Sequence, residues 1–286
     1  MGDLNVRIAK SRNELNEFTR NLLKDIHGLE LMLEQGWFNE SPLHIGAEQE
    51  MCIVDRHYKP APKALAFLDK SKAPDVTTEL ALFNLELNMD PIEFQGTCFS
   101  QLEDKLKERL TSIRAIGEKE YLELVLTGIL PTMRMFDLDI ENLTPLERYY
   151  ALMEAISKMR GNIHELKITG SDELNIKHDS AMFESCNTSF QVHLQVKPDE
   201  FVQQYNIAQV LAAPVLAVAV NSPMLFGKKL WSETRIALFQ QTVDTRMISE
   251  HLRDRNGRVM FGNDWVRQSM VELYKEDISR FRVMLM

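Results

Sequence analysis

His44-Ile-Gly-Ala-Glu48-Gln-Glu50-Met-Cys-Ile-Val54 is the stretch on which the fold turns. Read as a β-strand, its side chains alternate between two faces. One face carries Ile45, Ala47, Met51 and Ile53, with only Gln49 intervening. The other carries Gly46, Glu48 and Glu50. Two unpaired carboxylates about 4 Å apart repel by roughly 4 kcal/mol at an effective dielectric of about 20. A positive group over them, most simply a divalent metal ion, relieves that repulsion. The alternative is a half-exposed strand with its polar face in water.

Two further segments repeat the pattern. In Asn84-Leu-Glu86-Leu-Asn88-Met89 the polar residues fall on one side and Leu85, Leu87 and Met89 on the other. Glu79, seven residues before Glu86, falls out of phase with it, so it is expected to approach from the preceding turn or a short helix. In Ser189-Phe-Gln191-Val-His193-Leu-Gln195-Val196, Ser189, Gln191, His193 and Gln195 share one face. Phe190, Val192, Leu194 and Val196 form an apolar back. If the three strands share a sheet, Glu48, Glu50, Glu86 and His193 project from one surface and Glu79 reaches it. Carboxylate oxygens with one imidazole suit Mg²⁺ or Mn²⁺ better than zinc. An acidic sheet face of this kind commonly holds a nucleotide's phosphates through the metal.

Around these strands the periodicity predicts helices. Ser11-Arg-Asn-Glu14 reads as a capping box opening a helix with Leu15, Phe18, Leu22, Ile26, Leu29 and Leu33 on one stripe, as cover for the sheet. Ser100-Gln-Leu-Glu103 reads as a second box, followed by Leu102, Leu106, Leu110 and Ile113. Tyr121 to Leu130 reads as a buried strand. Thr144-Pro-Leu-Glu147 reads as an N-cap followed by Pro at the first helical position. Pro198 to Ala217 reads as a mostly buried helix, and Trp231 to Asp244 as one presenting Arg235. Asn263 is expected to cap a last helix, and the apolar end Phe281–Met286 reads as truncated. The fold class is therefore α+β: a mainly antiparallel sheet with helices on its apolar face and a functional polar face. With no repeat and no linker, residues 1–286 read as one domain, incomplete at the C-terminus.

Composition narrows the classes of function. The 286 residues are 44% hydrophobic and 26% charged, ordinary for a globular protein. A net charge of −9 argues against general binding to nucleic acid or anionic membranes. Cys52, Cys98 and Cys186 are widely spaced and read as reduced thiols. The start lacks the basic and apolar regions of a signal peptide, and the longest apolar run, Val210–Val220, is short for a membrane span. A cytoplasmic protein is expected. There is no G-x-x-x-x-G-K-[ST] or G-x-G-x-x-G loop and no G-x-S-x-G elbow, and His164-Glu165-Leu-Lys-Ile168 is not H-E-x-x-H.

The ordered set of motifs resembles a known family. Gly46-Ala-Glu48-Gln-Glu50 is similar to the G-x-E-x-E opening of the glutamate–cysteine ligase and carboxylate–amine ligase family. Glu79 with Asn84-Leu-Glu86 resembles its second acidic element, and Thr188-Ser-Phe-Gln191-Val-His193 its T-x-x-Q-V-H strand. Arg148-Tyr149 followed by Met153 resembles its R-Y-x-x-M helix start. Asn221-Ser-Pro, then Arg235 and Arg246, resemble its N-S-P loop and arginine segment. The resemblance implies a curved antiparallel sheet like that of glutamine synthetase. It implies Glu48, Glu50, Glu79, Glu86 and His193 as ligands of Mg²⁺ or Mn²⁺, and ATP as co-substrate. Arg235 and Arg246 are implied as catalytic, and Arg148, Gln191 and Asn221 as substrate-binding. The implied reaction joins the glutamate γ-carboxylate to an amine such as cysteine through an acyl phosphate, as in glutathione biosynthesis. Expected partners are ATP, glutamate and a small amine or amino acid, without nucleic acid or membrane; a homodimer is left open. The family's later E-x-R strand has no copy after Arg246; Glu233-Thr-Arg235 has the spacing but falls too early and on a predicted helix. The second reading is therefore a ligase-like module that binds metal–nucleotide or glutamate in a regulatory role without turnover.

Overall fold

The computed structural model describes residues 6, 11–38, 41–160, 164–178, 181–244 and 257–281. Arg246, Ile163 and the apolar end beyond Phe281 lie outside the described residues. Its centre is β1 (His44–Asp55), a strand with three antiparallel partners. Residues 76–78 form β2 (Val76–Thr78) and residues 84–93 form β3 (Asn84–Glu93). β3 runs along one edge of β1 and β2 lies outside β3. The other edge of β1 is shared: β4 (Leu122–Val125) pairs with its last four residues, and β7 (Phe190–Leu194) with residues 45–49. The result is an open mixed helix-and-sheet architecture, antiparallel throughout, in the expected α+β class.

One face of this sheet is covered by helices. Met51, Ile53, Leu85, Leu87 and Leu124 pack with Phe67 of α2 (Ala64–Ser71) and with Leu110 and Ile113 of α3 (Cys98–Lys119). The first turns of α3 cover Ile45 and Ala47 through Cys98 and Leu102. The opposite face is polar only in part. Past Glu50, Cys52 and Val54 enter a second core with Phe83, Ile129, Met182, Phe183 and Cys186. That core also takes Tyr149 of α4 (Glu147–Arg160). It takes Leu166 and Leu174 from the hairpin of β5 (His164–Thr169) and β6 (Glu173–His178), and Leu238 of α6 (Thr234–Thr242). A tight hairpin of β8 (Met224–Leu225) and β9 (Lys228–Lys229) precedes α6.

Several expectations are corrected. α1 (Arg12–Glu34) has the expected Ser11 cap, but only Ile26 on it is buried. It lies beside α7 (Val271–Arg280), joined by Lys275–Glu30 at 2.5 Å, rather than over the sheet. It ends as predicted near Gly36, whose positive φ and the bond from the Trp37 amide to the Met32 carbonyl (3.0 Å) close the helix. α3 starts at Cys98, so Ser100 and Glu103 sit inside it rather than at its cap. The strand expected over 121–130 shrinks to β4, because the backbone turns away at Thr127 and Gly128 to meet residues 188 and 221. Asn263 bonds Glu276, and the amides before α7 are taken by Glu272.

The largest correction concerns α5 (Phe201–Val218), expected to be mostly buried. None of its residues is buried. It is the one described helix long and apolar enough by length and composition to span a bilayer, with a mean hydropathy of 1.2. The apolar back of β7 is bare as well: Phe190, Val192 and Leu194 are 47, 52 and 54% exposed. Both segments are apolar, and no described element covers them as α3 covers β1.

Candidate metal and ligase site

The register of the sheet brings the polar residues together. Glu50 pairs with Glu86, and Glu86 with Thr77 of β2. Glu48 pairs with Asn88 on one side and Gln191 on the other, and Gly46 with His193. Paired residues of an antiparallel ladder share a face, so Glu48, Glu50, Glu86, Gln191 and His193 line one surface. Glu79 enters from the turn directly after β2, one of the two routes expected for it.

That turn is held in place from outside the sheet. The Thr144 hydroxyl donates to the Glu79 carbonyl at 2.5 Å. The Thr144 amide donates to Leu80 (2.9 Å) and the Leu82 amide to Asn142 (2.8 Å). Thr144 was expected to cap α4; instead its hydroxyl fixes the Glu79 turn.

Glu50, Glu79 and Glu86 each offer one oxygen within 4.8 Å of the other two. Each is also oriented. The Glu50 carboxylate accepts from the Ser189 amide (2.6 Å), the Ser189 hydroxyl (3.0 Å) and the Gln191 amide (3.3 Å). Glu86 accepts from Asn88 (2.8 Å) and from the Thr77 hydroxyl (3.5 Å). The Glu79 carboxyl is raised to about 8, by burial first and then by Glu86, Glu50 and Glu184, which all push the same way. Glu50 is raised too, chiefly by burial, against the pull of its bonds to Ser189. Three desolvated carboxyls facing one another form a set that a divalent cation fits and a buried apolar core does not.

Glu48 and His193 form a separate outer pair, with Nε2 of His193 3.6 Å from the Glu48 carboxylate. They share the face but do not belong to the inner triad. Gln191 joins the site through Glu50. Asn221 lies at one remove: its carbonyl accepts from the Gly128 amide (3.3 Å) and the Thr127 hydroxyl (3.2 Å). Thr127 in turn accepts from the hydroxyl of Thr188, next to Ser189. A Cβ at Gly128 would overlap the Asn221 side-chain oxygen, so any larger residue there would displace the Asn221 side chain.

Arg235 is committed elsewhere. Its Nε donates to Glu233, whose other oxygen takes the Asn221 amide (2.7 Å) and the Ser222 hydroxyl (3.3 Å). The Glu233–Arg235 pair therefore braces the Asn221 loop. Arg148 stacks over the ring of Tyr149 at 4.8 Å. Tyr149, read from sequence only as part of the R-Y-x-x-M element, and Glu184, which no motif marked, both lie in the field of the triad. The Tyr149 hydroxyl is raised to about 12 by burial and by Glu79, with Arg148 pulling the other way. Glu184, from the 3₁₀ turn Ala181–Cys186, is raised to about 7 by burial and by Glu50.

A family model described as glutamate-cysteine ligase family 2 matches residues 44–283. The chain belongs to that family. The match begins at the first residue of β1 and takes in every residue of the triad and its supports. A search of curated proteins gives no match for the chain. Family membership makes a ligase the expected class of activity.

Proposed function

We propose that the chain is an ATP- and Mg²⁺-dependent carboxylate–amine ligase that activates a carboxylate, glutamate's γ-carboxylate first among candidates, for attack by an amine. The sheet would then be the glutamine synthetase-like surface on which nucleotide and metal meet. The observation that carries this reading is the triad of Glu50, Glu79 and Glu86, oriented by Ser189, Gln191, Asn88 and Thr77 on the polar face. In this reading these carboxylates, with Glu48 and His193 beside them, hold Mg²⁺ or Mn²⁺. The bound cation would draw charge from the phosphoryl oxygens of ATP during transfer to the carboxylate.

The chain's own residues supply placement. Ser189 and Gln191 fix the rotamer of Glu50, and Thr144 fixes the turn that delivers Glu79. Holding the reacting groups in line is where much of the rate advantage of such a transfer arises. The γ-phosphoryl group passes from ATP to the carboxylate oxygen, releasing ADP. The amine nitrogen then attacks the acyl carbon, phosphate leaves, and the amine's extra proton goes to solvent. Arg148, Arg235 and Arg246 are proposed to help hold phosphate or substrate carboxylate, Arg235 only on release from Glu233.

The test is ADP release with MgATP, glutamate and a panel of amines. Turnover that requires both glutamate and one amine supports the ligase. Binding of MgATP without turnover for any amine would favour the regulatory module, to which the engagement of Arg235 with Glu233 lends weight. Phosphoryl transfer independent of glutamate and amine would overturn both.

A further inference from the structure

β7 is placed by hydrogen bonds and not by packing. Pairing with β1 sets its register, but all five of its residues are exposed and none joins a described hydrophobic core. Just before it, residues 187–189 lie against the turn at residues 127–129. The Thr188 amide donates to the Gly128 carbonyl (3.0 Å), the Thr188 hydroxyl donates to the Thr127 carbonyl, and Asn187 bridges Ile129. The Asn221 carbonyl holds that turn from the other side, accepting from Gly128 and Thr127. Beyond the Asn221 loop stands Glu233. Its side chain is only 7% exposed, yet its carboxylate takes three donors: the Asn221 amide, the Ser222 hydroxyl and Arg235 Nε. An ionised carboxylate accepts at both oxygens, whereas an amide in its place would turn an N–H toward one of those donors. A buried ion pair contributes little net stability compared with a well-packed apolar pair. What this pair contributes is the geometry of the loop.

We propose that Glu233 is a positioning residue for the triad. It sets the Asn221 loop, the loop sets the 127–129 turn, and the turn sets Ser189 against Glu50. The links are hydrogen bonds between successive segments, and the last two are the Ser189 amide and hydroxyl on one Glu50 oxygen (2.6 and 3.0 Å). Groups behind a metal ligand that fix its orientation are worth roughly 10–100-fold in metal affinity. The consequence for metal rests on the reading of the triad as a cation site; the relay of bonds does not. The relay also gives Arg235 a task in its bonded state, as the counter-charge of a buried carboxylate.

The test compares the native full chain with Glu233→Gln by amide hydrogen exchange without metal and by Mn²⁺ calorimetry without nucleotide. Faster exchange is expected at Gly128, Thr188 and Ser189, with Leu85 and Leu87 unchanged and Mn²⁺ bound about tenfold more weakly. Faster exchange throughout the chain, or none gained at Ser189, marks a merely structural role and overturns the proposal. Thr188→Val cuts the relay while touching neither Glu233 nor Glu50. It is expected to weaken Mn²⁺ binding to the same extent, and the double variant no further. Losses that add, as those of independent sites do, overturn the relay. Should Glu233→Gln lose its circular dichroism signal, Thr188→Val decides by the same two measurements, and no change in either overturns the proposal. No Mn²⁺ on the native chain would overturn the metal reading, and the exchange rates then decide the relay by themselves.

Discussion

The two halves of the central sheet are built from the same alternation and end in opposite states. In the β1–β3 half, Met51, Ile53, Leu85 and Leu87 are fully buried against α2 and α3. In the β7 half, Val192 sits beside Ala47 on the same face, yet Val192 is 52% exposed and Ala47 2%. The neighbouring α5 buries none of its residues, although Asn206 on it bonds the Val266 backbone. Alternation sets which way side chains point. Burial requires a second element, and α3 reaches β1 through Cys98 and Leu102 without including β7 in that cluster.

That contrast is open to measurement, beginning where the effect is largest. Leu85→Ala, in the covered half, is expected to destabilise the chain by about 2–5 kcal/mol in denaturant unfolding, as truncation in a packed core does. A loss near zero would mean that the covered half is not packed as described. Glu50→Gln should retain the fold by circular dichroism while weakening Mn²⁺ or MgATP binding by roughly 100-fold, about 2.7 kcal/mol. Unfolding without a prior change in affinity would remove the triad from metal chemistry.

Third comes pH. Glu79 and Glu184 have folded values, about 8 and about 7, above the ordinary carboxylate range, so the folded chain binds more protons than the unfolded one. Their contribution is complete at acid pH below the unfolded values and is lost as pH rises through 7 and 8. Without divalent ions, stability should therefore fall from the ordinary carboxylate value of 4.5 up to about 8 and level off above it, by on the order of several kcal/mol. Saturating Mn²⁺ should suppress the fall, because the cation replaces the protons. A flat or rising profile in the metal-free protein would contradict the burial of these groups. Smallest, Val218→Ser on α5 should change stability by no more than about 0.5 kcal/mol, the range for exposed positions. Val218 is 87% exposed. A loss of several kcal/mol would show that α5 is covered in solution and would erase the contrast.

What was legible beforehand follows from the same physics. Glu48, Glu50, Glu86, Gln191 and His193 lie on strands, where a period of two fixes the face, and the structure sets them on one surface. Glu79 was legible as a residue out of phase with its strand. Glu184 was not, because it sits in a short 3₁₀ turn with no periodic pattern to mark its direction. Thr144 was misread because a hydroxyl at a helix entrance has two outlets, the helix amides or a nearby carbonyl. Here the Glu79 carbonyl takes it. The bare surfaces of α5 and β7 were illegible for a deeper reason: apolar residues state a need for cover, and the cover is another segment's property.

The three cysteines have a practical corollary. All are buried, and burial lifts the Cys52 thiol to about 12 and Cys186 well above its ordinary value. A thiol held as S–H is a poor nucleophile, so the folded chain should ignore alkylating reagents that stain it quickly once opened. Cys52 lies on the acidic face's own side, in the second core just past Glu50, and Cys98 at the start of α3. Their separate labelling rates would act as two clocks, timing how often each part of the interior breathes.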